Sequence, residues 1–185
     1  MHIRPYEPKD AERCRMICIE TATGHDTSLE KERKRLTTLF CDYFVENEPD
    51  VCFIVANDDD QAVGYIICAK NYAEYERVFR KEYVPRLKGI VPFHRLSCGV
   101  GLLSHRKYAK THPAHLHIDL LPEAQRQGNG TKLMNCLFAR LRELDVPGVF
   151  LGVSEKNTGA LSFYRHIGFE ELNRMFGTVI FGMKL

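Results

Sequence analysis

The chain has 185 residues, 44% of them hydrophobic and 27% charged, with a formal net charge of +2. That is the size of one ordinary globular domain with ample core, and the basic residues are too dispersed to form an electrostatic footprint for nucleic acid. No apolar run approaches a membrane span and Met1-His2-Ile3-Arg4-Pro5 leads straight into folded-looking sequence, so the expectation is a soluble cytoplasmic protein with neither nucleic acid nor membrane as partner.

His2 to Pro5 predicts a short first strand, and Asp10 caps a helix to about Thr21 with Ala11, Cys14, Ile17 and Cys18 along one side. A second helix is expected from Leu29 to about Asn47, its apolar stripe running through Leu36, Leu39, Phe40, Tyr43 and Phe44. Cys52 to Ala56 and Ala62 to Ala69 are β-rich runs joined by the turn residues Asn57 to Gln61. Tyr72, Tyr75, Phe79 and Tyr83 then share a helical face closed by Pro85, and Gly89 to Pro113 reads as a long connection with the character of a lid. Seven cysteines without a C-x-x-C pair suit reduced, buried thiols better than disulfides or a zinc site.

The stretch that organises the chain runs from Ala114 to about Leu144. A strand, Ala114 to Leu121, feeds the loop Gln125-Arg126-Gln127-Gly128-Asn129-Gly130, and a helix follows in which Leu133, Met134, Leu137, Phe138 and Leu141 recur at steps of three and four. The first N–H groups of a helix have no intrahelical partner and carry its positive dipole end. Gly128 and Gly130 keep side chains off those groups and tolerate positive φ, so the loop reads as a phosphate cradle. It is neither a Walker loop nor a dinucleotide fingerprint. Val149 to Val153 is a further strand, Asn157 begins a helix that Gly168 ends, and Phe169 to Met175 and Thr178 to Leu185 close the chain as two strands around Phe176-Gly177. Helices alternate with hairpins, which predicts an α/β fold on a mixed sheet.

Gln125 to Gly130 resembles the [RQ]-x-x-G-x-[GA] signature of the GCN5-related N-acetyltransferase (GNAT) superfamily, and Asn157 to Phe169 resembles that family's N-x-x-A-x-x-F-Y-x-x-x-G-F segment. His115 to Glu123 is in addition similar to acetyltransferase-like proteins related to the domain that accompanies O-GlcNAcases. The resemblance implies a single acetyltransferase domain over residues 1–185 with a mixed, mostly antiparallel central sheet flanked by helices. The departure is residues 72–113, a helical and loop insertion before the fourth strand.

As co-substrate the resemblance implies acetyl-coenzyme A (acetyl-CoA), its pyrophosphate held around Gln125, Arg126, Gln127, Gly128, Asn129, Gly130 and Thr131. Main chain near Leu120 and Leu121 would bond the pantetheine arm, with Asn157 as a further contact or simply a helix cap. Tyr164 matches the tyrosine that protonates the departing thiolate. The reaction implied is direct attack by a primary amine in a ternary complex. As base, Asp119 is the first candidate, a carboxylate in an apolar strand, and His117 the second. Two alternatives stand beside this: a coenzyme A-binding module without turnover, and a metal-dependent enzyme using the strand face of His115, His117 and Asp119. No metal is expected on the first reading, and a homodimer is left open.

Overall fold

The computed structural model describes all residues, Met1–Leu185. One seven-stranded sheet runs through the molecule in the order β1-β2-β3-β4-β5-β7-β6, built from β1 (His2–Pro5), β2 (Phe53–Ala56), β3 (Ala62–Ala69), β4 (Ala114–Leu120), β5 (Gly148–Ser154), β6 (Glu170–Met175) and β7 (Thr178–Lys184). Every pairing is antiparallel except β4 with β5. β3 is buried along its whole length, because helices cover both faces of the sheet.

One face carries α1 (Ala11–Thr21), α2 (Glu30–Phe40), α3 (Asp42–Asn47), α4 (Tyr72–Val78) and α5 (His94–Ala109). The other carries α6 (Asn129–Glu143) and α7 (Thr158–Ile167). Leu133, Met134, Leu137 and Leu141 of α6 are fully buried, as their spacing required.

Three expectations needed correction. Asp10 does not cap α1 with its side chain, because its carboxylate is taken by Arg4 Nη1 at 2.7 Å and by Glu7 N–H at 2.9 Å. The helix from Leu29 to Asn47 is broken at Cys41, whose φ of −132° and ψ of −54° leave the helical region. The break places Asp42 in the first turn of α3, where its carboxylate accepts from Arg15 Nε at 2.7 Å, and no glycine or proline announces it. The long connection Gly89 to Pro113 holds a full helix, α5, despite Gly99 and Gly101 in its middle. Each glycine costs a helix about 1 kcal/mol, and contacts with α4 and the turn after it offset this: Tyr72 Oη donates to Leu102 C=O at 2.9 Å, Arg106 pairs with Glu76, and Arg80 donates to Gly99 C=O at 3.2 Å. The two ends of the insertion are clasped, since Tyr72 N–H donates to Pro113 C=O at 2.8 Å.

The feature that positions the site is the parallel pair. β4 and β5 bond only through Ala114–Val149 and His115–Phe150. Beyond that point β4 stays with β3 and β5 stays with β7, so the two strands diverge and a gap opens at their C-terminal ends.

Candidate active site at the β4–β5 gap

The turn from β4 into α6 is held open by its own side chains. Gln125 Nε2 donates to Leu120 C=O at 2.8 Å, Gln127 Nε2 to Glu123 C=O at 2.6 Å, and the buried Asn129 Nδ2 to Ala124 C=O at 3.0 Å. These bonds hold Arg126 (φ 58°) and Gly128 (φ 74°) in the left-handed region, a conformation that costs a non-glycine residue about 1 kcal/mol or more. Alternation of left- and right-handed residues turns successive amides to one side, which makes an anion nest. None of the N–H groups from Arg126 to Thr131 donates within the chain, and the first helical bond runs from Lys132 N–H to Gly128 C=O at 3.0 Å. A side chain at Gly128 would meet nothing within 4 Å, so the mouth is clear. This run of free amides at the α6 N-terminus has the chemistry a diphosphate requires, and Thr131 stands exposed beside it.

The second glycine has a different reason from the one its spacing suggested. A Cβ at Gly130 would lie 3.0 Å from the Phe163 ring, so this glycine lets α6 approach α7 and does not clear the mouth. Gly64 does the same under Leu120, whose Cδ2 would be 2.3 Å from an added Cβ.

Leu121 N–H is spent on Val63 C=O at 2.9 Å, within the sheet. Strand alternation therefore turns the main-chain groups of Leu120 and Ile118 towards the gap, and of these Leu120 C=O is taken by Gln125. Ile118 was not legible as a site residue, because a main-chain role leaves no mark on the side chain. Asn157 accepts from Ala160 N–H at 3.0 Å and so caps α7, which commits its oxygen and leaves its amide nitrogen.

Tyr164, on α7, is buried against Phe163, Phe169 and Phe181. Burial, and then the charge of Asp119, push its phenol pKa up. The phenol is protonated throughout the neutral range. Asp119 reaches the same gap from the opposite face of the sheet, where Tyr65 Oη donates to its Oδ2 at 2.5 Å. Burial pushes the carboxyl pKa up, against the opposing pull of that hydrogen bond. Tyr65 is a partner the sequence did not reveal, since it lies on β3 directly across from Asp119.

Next along β4, His117 lines a cavity of about 590 Å³ that Asp119 does not line. The cavity lies between α2, the insertion and the diverging end of β5 at Gly152, Val153 and Ser154. Burial lowers the His117 pKa to about 4, with nearby His105 adding to the effect. His115 is lowered too, first by burial and then by the two other histidines. All three imidazoles are neutral at pH 7. His115 and His117 meet edge to face at 5.0 Å while Asp119 is held by Tyr65, and no group of three or more His, Cys, Asp or Glu side chains converges as metal ligands would. The metal-dependent alternative has no donor set on this strand face.

The family model described as the acetyltransferase (GNAT) family matches residues 16–169. The chain belongs to the GNAT acetyltransferase family. Among solved structures it is similar to SsHAT at 29% identity, with 99% of this chain and 97% of that one covered and a TM-score of 0.83. It also shares its fold with PaiA N-acetyltransferase from Thermoplasma acidophilum in complex with coenzyme A (14% identity, 100% and 98% covered, TM-score 0.62). A third such structure is yncA from Salmonella typhimurium with its cofactor acetyl-CoA (14% identity, 100% and 94% covered, TM-score 0.60). No helix is long and apolar enough to cross a membrane.

Proposed function

We propose that the protein transfers the acetyl group of acetyl-CoA to a primary amine by direct attack in a ternary complex. The observation that carries this reading is the β4–β5 gap: free amides flank it at the α6 N-terminus, and a cavity able to take an acceptor adjoins it on the other face of the sheet. Acetyl-CoA supplies a thioester as acetyl donor. Amides from Arg126 to Thr131 bind its diphosphate, each such charge-assisted bond contributing roughly 1.5–3 kcal/mol. Main-chain groups of Ile118 and Leu120 orient the pantetheine arm, and an N–H there stabilises the oxyanion that forms as the amine attacks.

Tyr164 gives its phenolic proton to the sulfur as the carbon–sulfur bond breaks, in the protonated form that burial maintains. His117 takes the proton from the attacking nitrogen, with Asp119 as the second acceptor along the same strand face. The weak basicity of His117 suits that nitrogen once it has bonded to the carbonyl carbon, because it is then far more acidic than a free ammonium. His117 is preferred to Asp119 because it lines the cavity. The apolar cavity also favours the neutral form of the arriving amine.

A thioester-release assay across an amine library tests the reaction, with Tyr164→Phe as the diagnostic variant. Loss of one general acid lowers turnover by about 10²–10⁴-fold, and acetyl-CoA affinity by calorimetry is expected to stay within a few-fold. Equal turnover would remove the tyrosine from the mechanism. Coenzyme A binding with no acetylated product from any amine would replace the enzyme by a binding module.

A further inference from the structure

The acceptor's chemistry has to be read from the cavity, whose volume of about 590 Å³ falls in the range of small-molecule sites. One wall is aromatic: Tyr72 and Tyr75 pack at 5.4 Å and Tyr75 and Phe79 at 5.2 Å between ring centroids, so the rings hold one another in place. Packed against it are His105 and His115, with Tyr72 at 6.0 and 5.8 Å from them, and His117 follows along β4, with centroids 5.9 Å apart for His105–His115 and 5.0 Å for His115–His117.

No aspartate or glutamate lines the cavity. Glu76, on the neighbouring turn of α4, is committed to Arg80 and Arg106. Arg35, the charged side chain on the wall, is held by Glu32 at 2.6 Å. A guest with a second cationic nitrogen would lose its hydration here and find no counter-charge. Three neutral imidazoles would offer it no counter-charge either. A flat ring would instead gain aromatic contact with Phe40, which lines the cavity, is 39% exposed and is set edge to face with His117 at 5.5 Å, and with the edges of the buried rings behind it.

One polar atom of the wall also lacks a partner. His115 is 5% exposed and its Nδ1 makes no hydrogen bond within the chain. Buried polar atoms are nearly always paired, and His115 lines the cavity, so a guest hydroxyl or N–H satisfies this nitrogen once the imidazole turns it towards the cavity.

Resting on the acetyl-transfer reading, the geometry points to an acceptor that is a monoamine carried on an aromatic ring with one hydrogen-bonding substituent, an arylalkylamine, and not a linear polyamine or the lysine of a peptide.

The experiment titrates the protein loaded with coenzyme A with tyramine, 2-phenylethylamine, spermidine and a short lysine peptide by calorimetry, and follows acetylated product from the same amines with acetyl-CoA. Tyramine is expected to bind at least tenfold more tightly than spermidine or the peptide, and more tightly than 2-phenylethylamine. A second arm uses Gly101→Leu. Gly101 lines the cavity, an added Cβ there meets nothing within 4 Å, and leucine favours the helix over glycine, so the side chain fills the space without unfolding α5. This variant is expected to lose at least tenfold in tyramine affinity and nothing in coenzyme A affinity. Preference for spermidine or the peptide, absence of tyramine binding at millimolar concentration, or an unchanged Gly101→Leu overturns the acceptor assignment. Equal binding of 2-phenylethylamine and tyramine overturns the hydrogen-bonding substituent. Tyramine binding without acetylated product leaves the arylalkylamine assignment standing and overturns acetyl transfer.

Discussion

The loop at the start of α6 and the cavity under α5 lie on opposite sides of one gap and are built by opposite means. The loop works through main chain: its free N–H groups come from backbone geometry, and its side chains turn inward to brace that geometry. The cavity works through side chains: rings and imidazoles gathered from α2, α4, α5, β4 and the insertion. A main-chain site tolerates sequence change wherever the backbone angles survive. A side-chain site changes its guest with each substitution, which is how one fold serves one co-substrate and many acceptors.

Gly128→Glu breaks the comparison most directly on the loop side. The position has φ of 74° and open space around it, so a glutamate places strain, bulk and negative charge at the mouth together. Acetyl-CoA affinity by calorimetry is expected to fall at least 100-fold, a loss of about 2.7 kcal/mol. Gly128→Ala separates the causes: it carries the backbone strain without the charge and is expected to lose clearly less. Undiminished affinity in the glutamate variant would mean that the loop does not bind phosphate.

Acid tests the cavity side. His117 has its pKa lowered from 6.5 to about 4 by burial, with His105 adding to it, and His105 and His115 are lowered too. Between pH 6.5 and 4 the unfolded chain binds protons at these histidines that the folded chain does not. Stability therefore rises with pH across that window and is lost as pH falls through it. His117→Phe removes one such proton and is expected to flatten the slope, a difference of about 1–3 kcal/mol between pH 7 and pH 4. Urea midpoints measured across the window check this, and an unchanged slope would show that the imidazole is protonated or solvated in the folded protein.

Legibility followed the same division. The loop, its helix and the Asn157–Gly168 segment are contiguous, and glycine spacing with apolar periodicity encodes them locally. The cavity is not contiguous. Phe40, Tyr75, His105 and His117 meet only after the sheet has formed, and α5 was hidden because its glycines and histidines signal a loop while its stability comes from Tyr72, Glu76 and Arg80 of other segments. Gly130 shows the limit on the loop side. Its position in a signature is local, but its reason, the approach of Phe163, lies on another helix.

Asn71→Ala sharpens the comparison with the smallest effect. Asn71 caps α4 by accepting from Ala73 N–H at 2.9 Å and Glu74 N–H at 3.2 Å, and α4 carries Tyr72 and Tyr75 into the cavity wall. Loss of such a cap costs about 1 kcal/mol, which lowers thermal stability modestly and frays the first turn that presents Tyr72. The loop is not in contact with this cap, so acetyl-CoA affinity is expected to hold while the KM for the amine rises several-fold. If both substrates weaken together, the two halves of the site are mechanically one, and the separation into a main-chain half and a side-chain half fails.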